Sequence, residues 1–454
     1  MLDLTPKEVS ERSALRINPL KTCQPVGAMY AALGVHKCMP HSHGSQGCCS
    51  FHRMFLTRHF KDPAIAASSS FTEGASVFGG GSNLKTAIKN IFDIYDPDII
   101  AVHTTCLSET IGDDLVTYIN DAKIPEGKIV VHTNTPSYVG SHITGYSNMV
   151  TGFIHYLSEN TGEKNGKLGL IPGFVNPGDM REMKKLMALM GVEYIMLPDT
   201  SGVMDAPMTG TYNMYPEGGT KIEDIKDLGN CDLSLGLGEL TSEAPGEHLE
   251  KKCKVPHKTL PLPIGVELTD QFIMALNHFS KNEVPYAIEE ERGQLVDILL
   301  DSHQYTQNKK VAIFGDPDTV LGLAQFALEM GMIPKYLATG TPGKFFEQHA
   351  TALFEKFGVE DCIAKGNVDL FELHQLIKND GVDLLIGGTH GKYVSKAEDI
   401  PLVRAGFPIV DRYVHSYLPI VGYKGGMRLA EMILNALMDR QDRDCADEDM
   451  EMIM

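Results

Sequence analysis

Short apolar runs, each about the length of one buried strand and separated by stretches with helical spacing, set the tightest limit on what this chain can fold into. Asp98-Ile99-Ile100-Ala101-Val102-His103 and Lys128-Ile129-Val130-Val131-His132 show no polar alternation. Both faces of such strands must be covered, which is the condition of a parallel sheet with helices on each side. Leu168–Gly173, Tyr194–Leu197 and Asp232–Leu237 read as strands of a second unit opening near Asn165, with a helix over Met180–Met190. Glu289–Gln307 reads as a charged helix leading into a third unit. That unit opens with a strand at Lys310 and continues with a helix over Thr319–Met330 and strands at Val382–Gly388 and Phe407–Asp411. A further helix is expected near Gly112–Asp114. The expected fold is α/β: three Rossmann-like domains, each a mostly parallel sheet flanked by helices, over 1–160, 161–300 and 301–454, the last with an acidic C-terminal tail. A length of 454 residues accommodates about three domains of ordinary size.

Formal charge is −19, from 40 basic against 59 acidic residues. A phosphate backbone needs a basic face, so nucleic acid is excluded as the expected partner. No run approaches the ~20 apolar residues of a membrane span. Residues 1–20 lack the apolar centre of a signal peptide, so the cytoplasm is the expected compartment. Nine cysteines, an odd number, fit reduced thiols better than a disulfide framework.

Three of these cysteines lie beside small or turn-forming residues: Lys21-Thr22-Cys23-Gln24-Pro25, Gly44-Ser45-Gln46-Gly47-Cys48 and Thr104-Thr105-Cys106. None forms a CxxC pair. Thiolates held on separate loops suit a soft-metal cluster better than a single zinc ion. Three thiolates are one short of an ordinary four-iron cubane, so a second chain would complete the site at a subunit interface. A lone cysteine is as readily a small buried hydrophobe, and the spacing alone leaves both readings open. Cys38, Cys231, Cys253, Cys362 and Cys445 take the buried reading. In the doublet Cys48-Cys49 one thiol is a bystander. Gly47 lets backbone approach a bulky group, which favours Cys48 as the ligand. Cys106 and Ser137 each follow an expected strand, where ligands gather in open α/β sheets.

The glycine-rich run Thr72–Asn83 lacks the spacing of a phosphate loop and reads as a tight turn into a helix; Phe78, where exposed, would be a docking contact. His41, His43, His52 and His59 lack metal-ligand spacing on a helix and read as hydrogen-bonded or solvated. The methionines of 180–190 read as core. Gly315-Asp316-Pro317-Asp318 looks like the turn after a nucleotide-fold strand, which the fold explains without a ligand. No Ser-His-Asp or paired-carboxylate arrangement stands out.

Taken jointly, Ile17–Pro19, Lys21–Ala28, His43–Cys48, Arg58–Phe60, Ser70–Glu73, Val77–Gly80, Thr104–Cys106, Ile111–Asp114 and Thr135–His142 resemble the nitrogenase family, in the form of its molybdenum–iron protein β subunits. Glu291–Gly293, Gly315–Pro317, Gly391-Lys392 and Gly406–Ile409 extend the likeness over nearly the whole chain, and the short N-terminus resembles the clostridial type. The resemblance implies an α2β2 heterotetramer and an 8Fe-7S P-cluster shared with the α subunit. In that reading Cys23, Cys48 and Cys106 are this chain's thiolate ligands. Ser137 falls where the family has a serine that ligates iron in the oxidised cluster, coupling electron loss to proton loss; a loop hydrogen-bonder is the plainer role for such a serine. The iron–molybdenum cofactor would lie in the α subunit, leaving no catalytic residue here. This chain would relay electrons from an ATP-hydrolysing iron protein, which itself binds the nucleotide, towards reduction of N2 to ammonia. Phe78 matches a position on the iron-protein docking face, and Asp62 and Asp270 match carboxylates of a metal site between β subunits. Rival readings are a cofactor-assembly scaffold, a dark protochlorophyllide reductase subunit, and a vanadium or iron-only nitrogenase β chain. The complete cysteine trio with Ser137 disfavours the first, Thr135–His142 disfavours the second, and Phe71–Gly74 favours the molybdenum form.

Overall fold

The computed structural model describes residues 4–9, 12 and 17–450. Its strands form three sheets, and every strand pair is parallel. The first sheet holds β1 (Cys38–His43), β2 (Ala67–Ser68), β3 (Ile99–Thr104) and β4 (Ile129–Thr133), in the order β2-β1-β3-β4. The second holds β5 (Leu168–Ile171), β6 (Tyr194–Met196), β7 (Leu233–Leu237) and β8 (His257–Leu260), in the order β6-β5-β7-β8. The third holds β9 (Lys310–Gly315), β10 (Ile333–Thr339), β11 (Ile363–Lys365), β12 (Leu384–Gly387) and β13 (Leu402–Arg404), in the order β11-β10-β9-β12-β13. The first two sheets share one winding. In all three the first strand is internal and the order reverses beside it, which opens a crevice at the carboxyl ends of the strands.

Helices of the first unit are α1 (Gln24–Leu33), α2 (Gln46–Phe60), α3 (Glu73–Phe78), α4 (Gly81–Tyr95), α5 (Cys106–Ile111), α6 (Leu115–Asn120) and α7 (His142–Leu157). The second unit carries α8 (Pro177–Leu189), α9 (Ile222–Asp227), α10 (Glu239–Cys253), α11 (Gly265–Ser280) and α12 (Tyr286–Thr306). The third carries α13 (Pro317–Glu329), α14 (Phe345–Phe357), α15 (Leu370–Asp380) and α16 (Lys392–Glu398), and α17 (Gly422–Asp444) follows. This last helix folds back against α8, α11 and α12 of the second unit. The core is continuous between units. One apolar cluster joins the first and second units and takes in Phe407 from the third; another joins the second and third. Tyr146 and Phe153 are fully buried in the former, each stabilising the fold by roughly 1.5–3 kcal/mol.

Two expectations change. Phe407–Asp411 is not a strand; the sheet ends at β13, and residues 407–411 run on as irregular chain. Pro408 has no N–H for a ladder. Its carbonyl accepts from Thr389 N at 2.9 Å, and Ile409 N donates to His59 Nδ1 at 2.9 Å. The helix expected near Gly112–Asp114 is α6, whose first turn is held by the Asp114 carboxylate accepting from Thr117 N. A second helix, α5, begins earlier, at Cys106 itself. Of the acidic tail, residues 451–454 lie outside the described part, as does much of the N-terminal segment 1–16. Among the described residues, no helix is long and apolar enough to cross a membrane.

Candidate functional site

The order of the first sheet reverses between β1 and β3. Cys48 sits in the first turn of α2, after β1, and Cys106 opens α5, after β3. The two thiols therefore flank the crevice of this sheet. Their loops are bonded together through one carbonyl: His43 O accepts from Thr105 N at 3.1 Å, Thr105 Oγ1 at 3.2 Å and Ser108 Oγ at 2.8 Å. Gly44 is needed there, because a Cβ would stand 1.9 Å from Thr105 Oγ1. The loop after β4 is joined to the same edge by Thr135, whose N–H donates to Thr104 Oγ1 at 2.6 Å and whose hydroxyl donates to Thr104 O at 2.7 Å. That bond carries the turn containing Ser137 to the crevice.

Cys23 arrives differently, as the residue capping the start of α1. Helix α1 crosses α7 with no side chain between them at Gly27 and Gly145. A Cβ on Gly27 would lie 1.7 Å from His142 O, and one on Gly145 would lie 1.9 Å from Gln24 O. Gln24 then fixes the serine turn, its Nε2 donating to Pro136 O at 3.1 Å and Val139 O at 3.0 Å while its Oε1 accepts from Asn148 at 3.1 Å. Lys21 Nζ donates to Gly140 O at 3.0 Å. These bonds place Ser137 within hydrogen-bond reach of the Cys23 thiol.

Burial pushes the Cys23 thiol up; the Ser137 hydroxyl pulls it down, and the neighbouring Cys106 pushes it up again. Burial also raises Cys48, followed by the charges of Cys106 and Cys23 and a bond with the Cys106 side chain. The Cys23 and Cys48 sulfurs thus lie within electrostatic reach of Cys106, whose charge opposes their ionisation. Metal supplies positive charge of the kind that favours the thiolate form of such side chains. Among the described residues, no three His, Cys, Asp or Glu side chains are arranged to hold a single metal ion. The donor set fits a larger metal–sulfur group bridging the three loops. Cys106 is exposed, Cys23 and Cys48 are half-buried, and Phe51, Tyr138 and Val139 expose apolar surface on the adjoining segments. The thiol-bearing edge is open to solvent and has an apolar rim.

The other member of the doublet, Cys49, is buried, donates to Ala67 O at 3.4 Å and bonds the Ser42 side chain. The flanking histidines are buried, not solvated. Ser69 Oγ bridges His41 Nε2 and His43 Nδ1, each at 2.8 Å, and His59 Nε2 bonds Asn176 Oδ1 at 2.8 Å. Beside them His103 Nε2 bonds Ser42 Oγ at 2.7 Å. The glycine run has a packing cause. A Cβ on Gly80 would strike Phe71 at 2.1 Å, and one on Gly81 would strike Tyr118 at 2.7 Å. The start of α4 already holds an anion, since Gly80 N donates to both Asp113 oxygens at 3.1 and 3.2 Å. Asp113 in turn bonds His43 Nε2 at 2.9 Å. Phe78 ends α3 at 91% exposure, with Val77 beside it at 73%.

Asp62 and Asp270 share no partner among the described residues. Burial and Asp205 push the Asp62 carboxyl up, and Tyr417 bonds it. Asp270 is already committed to Arg292, at 2.9 Å to each of two nitrogens, and to the Tyr423 hydroxyl at 2.6 Å. Sequence reasoning missed His43, Asp113, Gln24 and His142 as organisers of the site. Each lies within the motif segments already noted, but the bonds that make them matter are long-range.

A family model described as nitrogenase component 1 type oxidoreductase matches residues 23–438. The chain is 63% identical over 457 residues, 100% of both chains, to the nitrogenase molybdenum-iron protein beta chain of Clostridium pasteurianum. It is 42% identical over 456 residues to that of Frankia alni, covering 97% of this chain and 86% of that one. A solved structure described as nitrogenase Cp1 at pH 6.5 matches with a TM-score of 0.99 and 63% identity over 100% of both chains. A chain from nitrogenase Cp1 at pH 5, at 16% identity and a TM-score of 0.69 over 97% of this chain and 93% of that one, shares the fold alone.

Proposed function

The chain belongs to the nitrogenase component 1 type oxidoreductases, and from that premise we propose that it holds one half of an 8Fe-7S P-cluster on Cys23, Cys48 and Cys106. The α subunit supplies the other half, in an α2β2 assembly. The observation that carries this reading is the convergence of three thiols and Ser137 on one open crevice, reached from four separate loops. The cluster, when bound, supplies one-electron storage and transfer. What this chain supplies is placement. The His43 carbonyl fixes the Cys48 and Cys106 loops to each other, and the α1–α7 crossing sets Cys23 against Ser137. The Ser137 hydroxyl, which lies by the Cys23 thiol and pulls it down, would provide a proton when the site loses an electron. The aromatic residues Phe174 and Phe407, with ring centroids 5.2 Å apart, pack on the His142 ring behind Cys23.

Electrons would enter from an iron protein docked over Val77 and Phe78, and leave towards an iron–molybdenum cofactor in the α subunit, where N2 is reduced to ammonia. The nucleotide belongs to the iron protein, in keeping with an α4 N-terminus already occupied by Asp113. Residues 1–160, 161–300 and 301–454 serve as three domains, one sheet apiece, with α17 bracing the second. Asp62, beside Asp205, is the better of the two carboxylates for a cation between β subunits, because Asp270 is neutralised within its own chain. The cytoplasm is the fitting compartment for exposed reduced thiols.

The test is an anaerobic preparation of the native complex, with iron counted per αβ unit and redox states followed by spectroscopy. An eight-iron centre that is lost in Cys106→Ala and kept in Cys49→Ala is the expected result. Four-iron signals alone, or equal losses in the two variants, would refute the assignment.

A further inference from the structure

The residue before Cys23 is held at both of its backbone groups by one side of the molecule. His142 N donates to Thr22 O at 3.0 Å, and Thr22 N donates to His142 Nδ1 at 3.3 Å. Thr22 passes this hold to its neighbour, since Cys23 N donates to Thr22 Oγ1 at 2.7 Å. An imidazole that accepts at Nδ1 carries its proton on Nε2. That nitrogen lies 2.7 Å from Asp316 Oδ1 as an ion-pair contact, with neither atom in a hydrogen bond. Both side chains are buried, His142 at 1% and Asp316 at 3% exposure. The imidazole is walled by Phe174 at 5.0 Å and Phe407 at 5.3 Å between ring centroids. In such dry surroundings a carboxylate strongly polarises the ring it faces.

Asp316 belongs to another unit. It caps the start of α13, directly after β9, where the order of the third sheet reverses towards β12. A cavity of about 300 Å³ at that crevice is lined by Cys23, His142, Gly315 and Gly388 among others. The crevice of the third sheet therefore opens onto the back of a thiol that serves the crevice of the first.

We propose that His142, oriented by Asp316, is the positioning residue for Cys23, and that through this pair the β9–α13 turn helps set the reduction potential of the metal–sulfur group. The proposal rests on the reading of Cys23 as a ligand. Asp316, in close electrostatic contact with Nε2, strengthens Nδ1 as an acceptor; Nδ1 holds Thr22; Thr22 sets the distance from the Cys23 sulfur to Ser137. Potentials of such groups respond to local charge and to bonds around the sulfurs. Weakening this chain loosens the thiolate that supports the oxidised state, so the potential rises.

The test uses the anaerobic αβ complex, with iron content and redox-titrated EPR as readouts. His142→Gln should keep parental iron and midpoint, because an amide offers one acceptor to Thr22 and one donor to Asp316. Asp316→Asn should keep its iron and shift the midpoint upward. His142→Ala should shift it in the same direction, and adding Asp316→Asn to that variant should give no further shift. Parental midpoints in iron-replete Asp316→Asn and His142→Ala would overturn the proposal. So would an Asp316→Asn shift of equal size in both backgrounds, which would be a bare field effect. If His142→Ala takes up no iron, Asp316→Asn decides alone: its midpoint must move together with faster amide exchange at Thr22, and a parental midpoint or a shift with unchanged exchange defeats the proposal. Cys23→Ala with full iron and the parental spectrum would instead defeat the ligand reading, and the two failures are thereby told apart.

Discussion

Gly145→Ala places one methyl group where the structure has none to spare. The new Cβ would meet Gln24 O at 1.9 Å, and contacts under 3.0 Å essentially never occur for a real Cβ. The obstacle is backbone, so no side chain can rotate away. Helix α1 would have to retreat by roughly 1 Å, a strain of the kind that costs about 1–3 kcal/mol in a packed core. Gly152→Ala is the matched control on the same helix, because its nearest atom is His132 O at 3.4 Å, and it removes a helix-interior glycine. The assay is amide exchange across Val26–Leu33 in the purified complex, with iron content alongside. Local opening reports the strain directly, and 1–3 kcal/mol corresponds to roughly 5- to 150-fold faster exchange. Gly145→Ala should show that acceleration together with a loss of iron, whereas Gly152→Ala should show neither. Equal exchange and equal iron in the two variants would refute the claim that a bare helix crossing positions Cys23.

Ser137→Ala removes the group that holds the Cys23 thiol down, so in metal-free protein the pH profile of Cys23 alkylation should move to higher pH; an unmoved profile would show that the hydroxyl does not reach the sulfur. Asp113→Asn breaks the bond with His43 and weakens the hold on Gly80, costing about 1–3 kcal/mol of local stability, which exchange at the Phe78–Gly80 amides should register. Burial pushes His41 and His59 down to about 3. They stay neutral in the fold while the unfolded chain protonates below ~6.5, so stability falls as pH drops through that window, by about 2 kcal/mol each at pH 5. Denaturation at lower urea at pH 5 than at pH 7, with a shallower dependence in His59→Gln, is the expected result.

How much of this was legible in the sequence depended on whether burial was apolar. Ile99–Thr104 and Ile129–Thr133 announce themselves because their burial is hydrophobic. The strand Cys38–His43 is buried at every position, yet His41, Ser42 and His43 make it look like a loop. Their partners Ser69, His103 and Asp113 lie 26 to 70 residues away, and only folding reveals them. Helix α1 hid for a related reason: all its residues are buried, so it has no polar face to give a helical period. Phe407–Asp411 reads as a strand because an apolar run can fill an aromatic wall as well as a sheet. The cysteine trio reads in the sequence as an incomplete donor set. The joining of the Cys48 and Cys106 loops around one carbonyl, and the role of Gln24 and His142 on either side of Cys23, depend on chain crossings that local pattern does not encode.

His43 has one further consequence. Its ring grips the carboxylate that holds the turn after Phe78, and its carbonyl grips the two loops bearing Cys48 and Cys106. The exposed corner and the thiol-bearing edge are therefore opposite ends of a single short lever, hinged on one residue. A displacement of the first is expected to reach the second through that residue.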